Sequence, residues 1–166
     1  MPSRIIRSQR GSQHLLDTLV SLLVLETVKP SPEIYVVSPW VSNAPLIMNT
    51  ARGMSDLFPL IQTHTVYVAD ILEMFAWSGS KVRLICNPET QYTKELLTLL
   101  GDKVEYRMLD DHHEKGIITS NFYLHGSMNF TYNGIYINGE CVRVTTEEPE
   151  INSAMLSARE RWEESV

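Results

Sequence analysis

The chain has no long apolar run. Its most continuous stretch, Leu22 to Leu25 with its neighbours, falls far short of the ~20 residues a membrane-spanning helix needs. Charge and polarity persist from Arg4 to His14, so no apolar core of a secretory signal is expected there. Cysteine is scarce, with only Cys86 and Cys141 in 166 residues. That excludes a disulfide-built scaffold. Both cysteines fall in strand-like runs and are expected to be buried free thiols, which favours a reducing, cytoplasmic setting. Positive charge is also short: 14 Lys and Arg face 20 Asp and Glu, for a net charge of -6. Phosphate neutralisation supplies the affinity of non-specific nucleic-acid binders, so an acidic total argues against an avid, free-standing one. It leaves room for a local basic site, a small phosphodiester, or a partner that delivers nucleic acid. Internal repeats and low-complexity segments are absent.

What is present reads as one α/β domain over residues 1–166. Residues 1–10, with Arg4, Arg7 and Arg10, are expected as a solvated or loosely docked arm, or as a phosphate-contacting one. Ser12 is placed to cap a helix from Gln13 to Thr27, buried on most sides and stopped by Lys29-Pro30. Glu33 to Val37 is a continuous apolar strand, as a central strand covered on both faces would be. Ser38-Pro39-Trp40-Val41-Ser42 follows at its carboxyl end, where ligands bind in open α/β sheets. Residues 43–59 lack a clean period and are expected as a long loop, either a specificity loop or a plain surface connection. Thr63 to Ser78 is expected as a helix capped at Thr63 or Thr65, with His64 structural. Lys81 to Cys86 predicts a strand, Gln91 to Leu100 a helix ending at Gly101, and Asp102 to Met108 a further strand. A hairpin is expected from His113 to Thr119 and Asn121 to His125. A short helix over Met128 to Asn133 capped by Ser127, a strand from Glu140 to Thr145, and a helix from Glu147 to Glu164 complete the order. This pattern predicts a layered α/β/α domain with a mixed, mostly parallel sheet.

The chemistry concentrates between Asp111 and Glu140. On a strand, His113 and Lys115 stand two apart and share a face. That sets a nucleophile or acid/base beside a fixed positive charge, a pairing suited to phosphate. Asn129, in Gly126-Ser127-Met128-Asn129, and Glu140 follow at ordered intervals.

These residues resemble the phospholipase D superfamily of phosphodiesterases. Its signature is H-x-K-x4-D, then G-S/G-x-N, then a downstream acidic residue. The match covers most of the chain, from about residue 12 onward. Two departures stand out. Ser120 takes the place of the signature Asp, and the interval to Gly126 is one residue short. The chain also has one motif copy, where family members assemble a site from two. Single-copy nucleases of the family do so by dimerising, and a twofold interface brings a patch against its own copy. The resemblance therefore implies a homodimer with its active site at the interface. It implies His113 as nucleophile in one subunit and as acid/base in the other, through a phosphohistidine and without metal or cofactor. Lys115 and Asn129 would hold the non-bridging oxygens, and Glu140 the second ring nitrogen of His113. Ser127, Ser38 and Trp40 are candidate substrate-binding residues. A closer likeness to phospholipase D-like proteins of bacterial defence or DNA-modification clusters implies possible partner proteins.

Alternatives stand beside each assignment. His112 competes with His113, but only His113 is in register with Lys115. Asp110 to Glu114 is acidic and histidine-rich enough for a metal, yet adjacent strand positions face opposite ways. His125 is a strand-end residue or lines the groove. Phe130, Tyr132 and Tyr136 pack in the core or stack on bases. The expected function is a metal-independent, homodimeric nuclease. The alternatives are a catalytically weak nucleic-acid-binding or assembly subunit and a phospholipid phosphodiesterase, the last lacking a basic amphipathic helix.

Overall fold

A computed structural model describes residues 3–10, 13–48 and 65–166. The elements are β1 (Arg4–Arg7), α1 (His14–Val28), β2 (Glu33–Val37), β3 (Pro45–Met48), β4 (Thr65–Tyr67), α2 (Val68–Trp77), β5 (Lys81–Cys86), α3 (Gln91–Leu100), β6 (Glu105–Met108), β7 (Gly116–Ile118), β8 (Tyr123–Gly126), a π-helix (Asn133–Ile137), β9 (Cys141–Thr145) and α4 (Glu148–Glu164). A seven-stranded sheet runs in the order β1-β9-β8-β7-β2-β5-β6, and β3 pairs with β4 in a separate ribbon. The pairs β2–β5 and β5–β6 are parallel, whereas β2–β7, β7–β8, β8–β9 and β9–β1 are antiparallel. Strands β1, β8, β2, β5 and β6 consequently run one way and only β7 and β9 the other. The sheet is mixed, and mostly parallel in strand direction.

Strand alternation distributes the core between two faces. Ile34 and Val36 of β2, Leu84 and Cys86 of β5, and Ile117 of β7 face the larger core with Leu15, Leu19 and Leu23 of α1 and Ile71, Leu72 and Phe75 of α2. Tyr35, Val37, Ile85 and Ile118 face the other way, onto Met155, Ala158 and Trp162 of α4. That division is why β2 reads as unbroken apolar sequence. The helix α4 begins with Pro149 in its first turn beside Glu148 and Glu150, and has Arg161 in its last, which matches the helix dipole. Trp162 is 2% exposed. It meets Tyr35 edge-on at 6.4 Å between centroids, while the guanidinium groups of Arg83 and Arg107 lie 4.9 and 4.5 Å from its ring.

Several expectations need correction. The arginine-rich arm is the edge strand β1, paired from Arg4↔Val144 to Arg7↔Cys141. Part of the expected 43–59 loop is strand β3, and Thr65–Tyr67 is strand β4, not the start of a helix. The helix α2 starts only at Val68, where Asp70 accepts the Tyr67 backbone N–H at 2.8 Å. Cys86 is buried, and burial pushes its thiol up to about 12, but Cys141 is exposed. The helix α1 buries one stripe only, leaving Leu25 and Val28 exposed. The helical turn expected over Met128 to Asn133 comes later, as the π-helix. Ser12, His64, Thr63 and residues 49–59 lie outside the described residues.

Replacing Trp162 with Ala removes the anchor of α4. It should cost about 3–5 kcal/mol, read as a lower urea midpoint by circular dichroism. Trp162→Phe should lose less, because a ring still fills the site.

Candidate functional site

Strand register brings the sequence's chemical residues to one end of the sheet. Val37 at the end of β2 is opposite Gly116 at the start of β7. Gly116 is opposite His125, and Gly126 at the end of β8 is opposite Val142 near the start of β9. The segments carrying Ser38, His113 to Lys115, Gly126 to Asn129, and Glu140 all leave the sheet there. Ser120, at the position of the signature Asp, is exposed in the β7–β8 turn at the opposite end.

His113 and Lys115 precede β7 and do not lie on a strand, so the strand-face argument for their pairing does not hold. Backbone hydrogen bonding organises them. Lys115 accepts the Gly126 N–H through its carbonyl at 3.2 Å, which joins the two motifs directly. Its ammonium donates to the His113 carbonyl at 3.0 Å. The His113 ring is exposed and makes no hydrogen bond among the described residues.

Asn129 is half-buried, and its Oδ1 lies 3.2 Å from the hydroxyl of Ser38. That hydroxyl also donates to the Trp40 carbonyl at 2.7 Å and accepts the Phe130 N–H at 3.3 Å. Ser38 is fully buried. It fixes Asn129 and does not open onto solvent as a substrate-binding hydroxyl would. Trp40 is 41% exposed, leaving its ring available to a ligand. Ser127 donates its hydroxyl to Glu140 Oε2 and accepts the Cys141 N–H at 2.9 Å. The structure therefore joins Glu140 to Ser127 and not to His113. The Glu140 backbone is held in turn by Ser8, through bonds of 2.8 and 3.0 Å.

Two glycines make these approaches possible. A Cβ on Gly126, whose φ is +153°, would stand 2.2 Å from the Cys141 carbonyl oxygen. A Cβ on Gly134 would stand 2.1 Å from the Asn129 carbonyl oxygen. Gly134 thus lets the π-helix press directly on the backbone of a candidate catalytic residue.

Sequence reasoning missed the surroundings of His112. Its ring is half-buried, and neither nitrogen has a hydrogen-bond partner among the described residues. Burial, and then the positive charges of Arg161, His113 and Lys115, hold its pKa below the usual histidine value. Arg161, from the last turn of α4, pairs with Glu114, the middle residue of His-x-Lys. Only tertiary placement reveals that ion pair. His125 stacks on Tyr123 at 4.3 Å, and burial lowers its pKa. Among the described residues no three His, Cys, Asp or Glu side chains group as metal ligands. None of the described helices is long and apolar enough to cross a membrane.

Comparison with known proteins follows this geometry. No curated protein matches the sequence. The fold is similar to a phospholipase D family member, Nuc from Salmonella typhimurium, with a TM-score of 0.65, 15% identity, and coverage of 99% of this chain and 95% of that one. It is similar to NucT from Helicobacter pylori, with a TM-score of 0.64, 14% identity, and coverage of 98% and 99%. It is also similar to the archaeal chromatin protein TrmBL2, with a TM-score of 0.52, 13% identity, and coverage of 100% and 54%. Identities this low establish a shared fold. Residues 48–162 match the family described as cardiolipin synthase, PLD-like domain. That span is more than half of the chain and contains His113, Lys115, Asn129 and Glu140, and the protein belongs to this phospholipase D-like family.

Proposed function

We propose that the protein is a metal-independent nuclease that works as a homodimer. Family membership supports phosphodiesterase chemistry in general. The observation that carries the finer reading is the single set of His113, Lys115, Asn129 and Glu140 at one open end of the sheet, with the His113 ring exposed. One chain offers one His-x-Lys imidazole, and a two-step displacement by this route uses two.

In this reading, one His113 attacks phosphorus as the P–O bond to the leaving oxygen breaks. His113 of the second copy donates its proton to that oxygen. Water then attacks the phosphohistidine, passing its proton to the second imidazole and freeing the first. Lys115 and Asn129 stabilise charge on the non-bridging oxygens. Ser38 holds the Asn129 amide, so the amide need not reorganise during reaction. Glu140 orients Ser127 within a chain, and across a dimer its carboxylate is available to an imidazole. The nuclease reading draws on the likeness to Nuc and NucT and to TrmBL2, a chromatin protein with a novel mode of DNA binding.

The protein should cleave single-stranded DNA in excess EDTA, and His113→Ala should reduce the rate by about 100- to 10,000-fold. Cleavage that disappears with EDTA, or persists at the wild-type rate in His113→Ala, would refute the mechanism. Sedimentation should give a dimer, and a strictly monomeric active protein would sink the shared site. Gly134→Ala should displace Asn129 and lower kcat by about 10- to 100-fold, with circular dichroism unchanged.

A further inference from the structure

Beside the proposed site lies a cavity that the phosphodiester chemistry does not use. Its volume is about 500 Å³, and its lining includes Ser42, Asn43, Tyr92, Glu95, Leu99 and Tyr132. Two walls form it. One is a face of α3, where Tyr92, Glu95, Leu96 and Leu99 recur at helical spacing. The other is made by residues 42–43 together with the segment that follows Asn129.

The same two backbone segments build the cavity and the proposed site. Residues 38–42 run beside residues 129–132: Val41 bridges Phe130 in parallel, Ser42 donates its N–H to the Phe130 carbonyl at 2.9 Å, and Tyr132 donates its N–H to Ser42 Oγ at 3.0 Å. Ser38 and Asn129 stand at one end of this pair, and Ser42 and Tyr132 at the other. Three residues of chain span at most roughly 11 Å, so the cavity opens within a nucleotide's reach of Asn129.

The lining has the chemistry of a base pocket. Tyr92 and Tyr132 are 40% and 49% exposed, and Leu99 is 54% exposed. Tyr132 is held in advance by Tyr136, stacked at 4.9 Å and 28°, whose hydroxyl donates to the Pro45 carbonyl. On the other wall, Thr93 Oγ1 donates to the Val41 carbonyl at 2.8 Å and fastens the first turn of α3 in place. The charged group in the lining is Glu95. A carboxylate repels phosphate but accepts hydrogen bonds from the exocyclic amino groups of bases.

We propose that this cavity binds a nucleobase of a single-stranded nucleic acid whose adjoining phosphate lies at Asn129. The proposal rests on the nuclease reading for its substrate, and it adds base recognition to it. A duplex fills the pocket only by unstacking and unpairing a base, a cost that an unpaired strand does not bear, so the pocket favours single strands.

The test measures binding, by fluorescence anisotropy, of a short labelled single-stranded oligodeoxynucleotide and of an abasic strand with the same number of phosphates. The wild-type protein should bind the base-bearing strand about 5- to 100-fold more tightly, the range for loss of one stacked base. Tyr92→Ala and Tyr132→Ala should each shrink that preference and leave abasic binding unchanged, while Tyr132→Phe retains it. Equal wild-type affinity for the two strands would overturn the proposal, whatever the folding of the variants. Tighter binding of the matching duplex would overturn it as well. Base-dependent binding without any strand cleavage would overturn the nuclease reading and leave the base pocket standing.

Discussion

The antiparallel ladder between β2 and β7 is the seam on which the arrangement depends. To one side, β2, β5 and β6 form a parallel sheet whose strands end in the same direction. To the other, β7, β8 and β9 reverse at each step. Because β7 runs against β2, the loop carrying His113 and Lys115 enters the sheet where β2 leaves it. The next two reversals bring the Gly126 turn and Glu140 to that same end. Residues far apart in sequence converge because each junction is set by backbone register, and apolar side chains on both faces enforce that register.

The β7–β8 hairpin is fixed at both ends by polar groups. At the far end, Glu26 is buried, and its carboxylate accepts from Ser31 N–H at 3.1 Å, the Ser31 hydroxyl at 3.0 Å and Asn121 Nδ2 at 2.7 Å. At the near end, Gly126 packs against Cys141 and the Ser127 hydroxyl meets Glu140. Buried polar groups stabilise modestly when satisfied and cost heavily when orphaned. These contacts therefore specify position more than they add stability. The cores on either face supply the stability, and the polar contacts decide where the site residues stand.

The parts of this arrangement legible in the sequence were those whose burial leaves a period. Strands β2 and β5 read as continuous apolar runs because both faces are covered. The helix α4 showed its Ile151, Met155, Ala158, Trp162 stripe plainly. The edge strand β1 is hidden in the sequence because only Ile6 is buried there, so Arg-Ile-Ile-Arg looks like a solvated arm. Cys141 looks buried in the sequence but is exposed, since it opens a strand beside that edge. The π-helix begins at Asn133, where the sequence predicts a short helix to end, because Gly134 breaks the apparent period. In the site, His-x-Lys and Gly-Ser-x-Asn were legible as motifs, and the family assignment followed from them. The wiring was not: Ser38 to Asn129, Ser127 to Glu140 and Arg161 to Glu114 each cross between elements. The pocket on α3 was equally hidden, because Tyr92 and Leu99 gain meaning only once Tyr132 faces them.

The π-helix makes chain length itself a structural variable. Its Asn138 N–H reaches back to the Asn133 carbonyl at 2.7 Å, five residues away. Deleting one residue there would let the turn close as an ordinary α-helix, where each position rotates by about 100°. Tyr136 would then swing away from Tyr132, and Gly134 from the Asn129 backbone. Relatives that differ by a single residue in this loop would keep every motif letter and still present a different surface beside Asn129. The surface beside Asn129 can thus change through insertion and deletion, without any substitution among the candidate site residues.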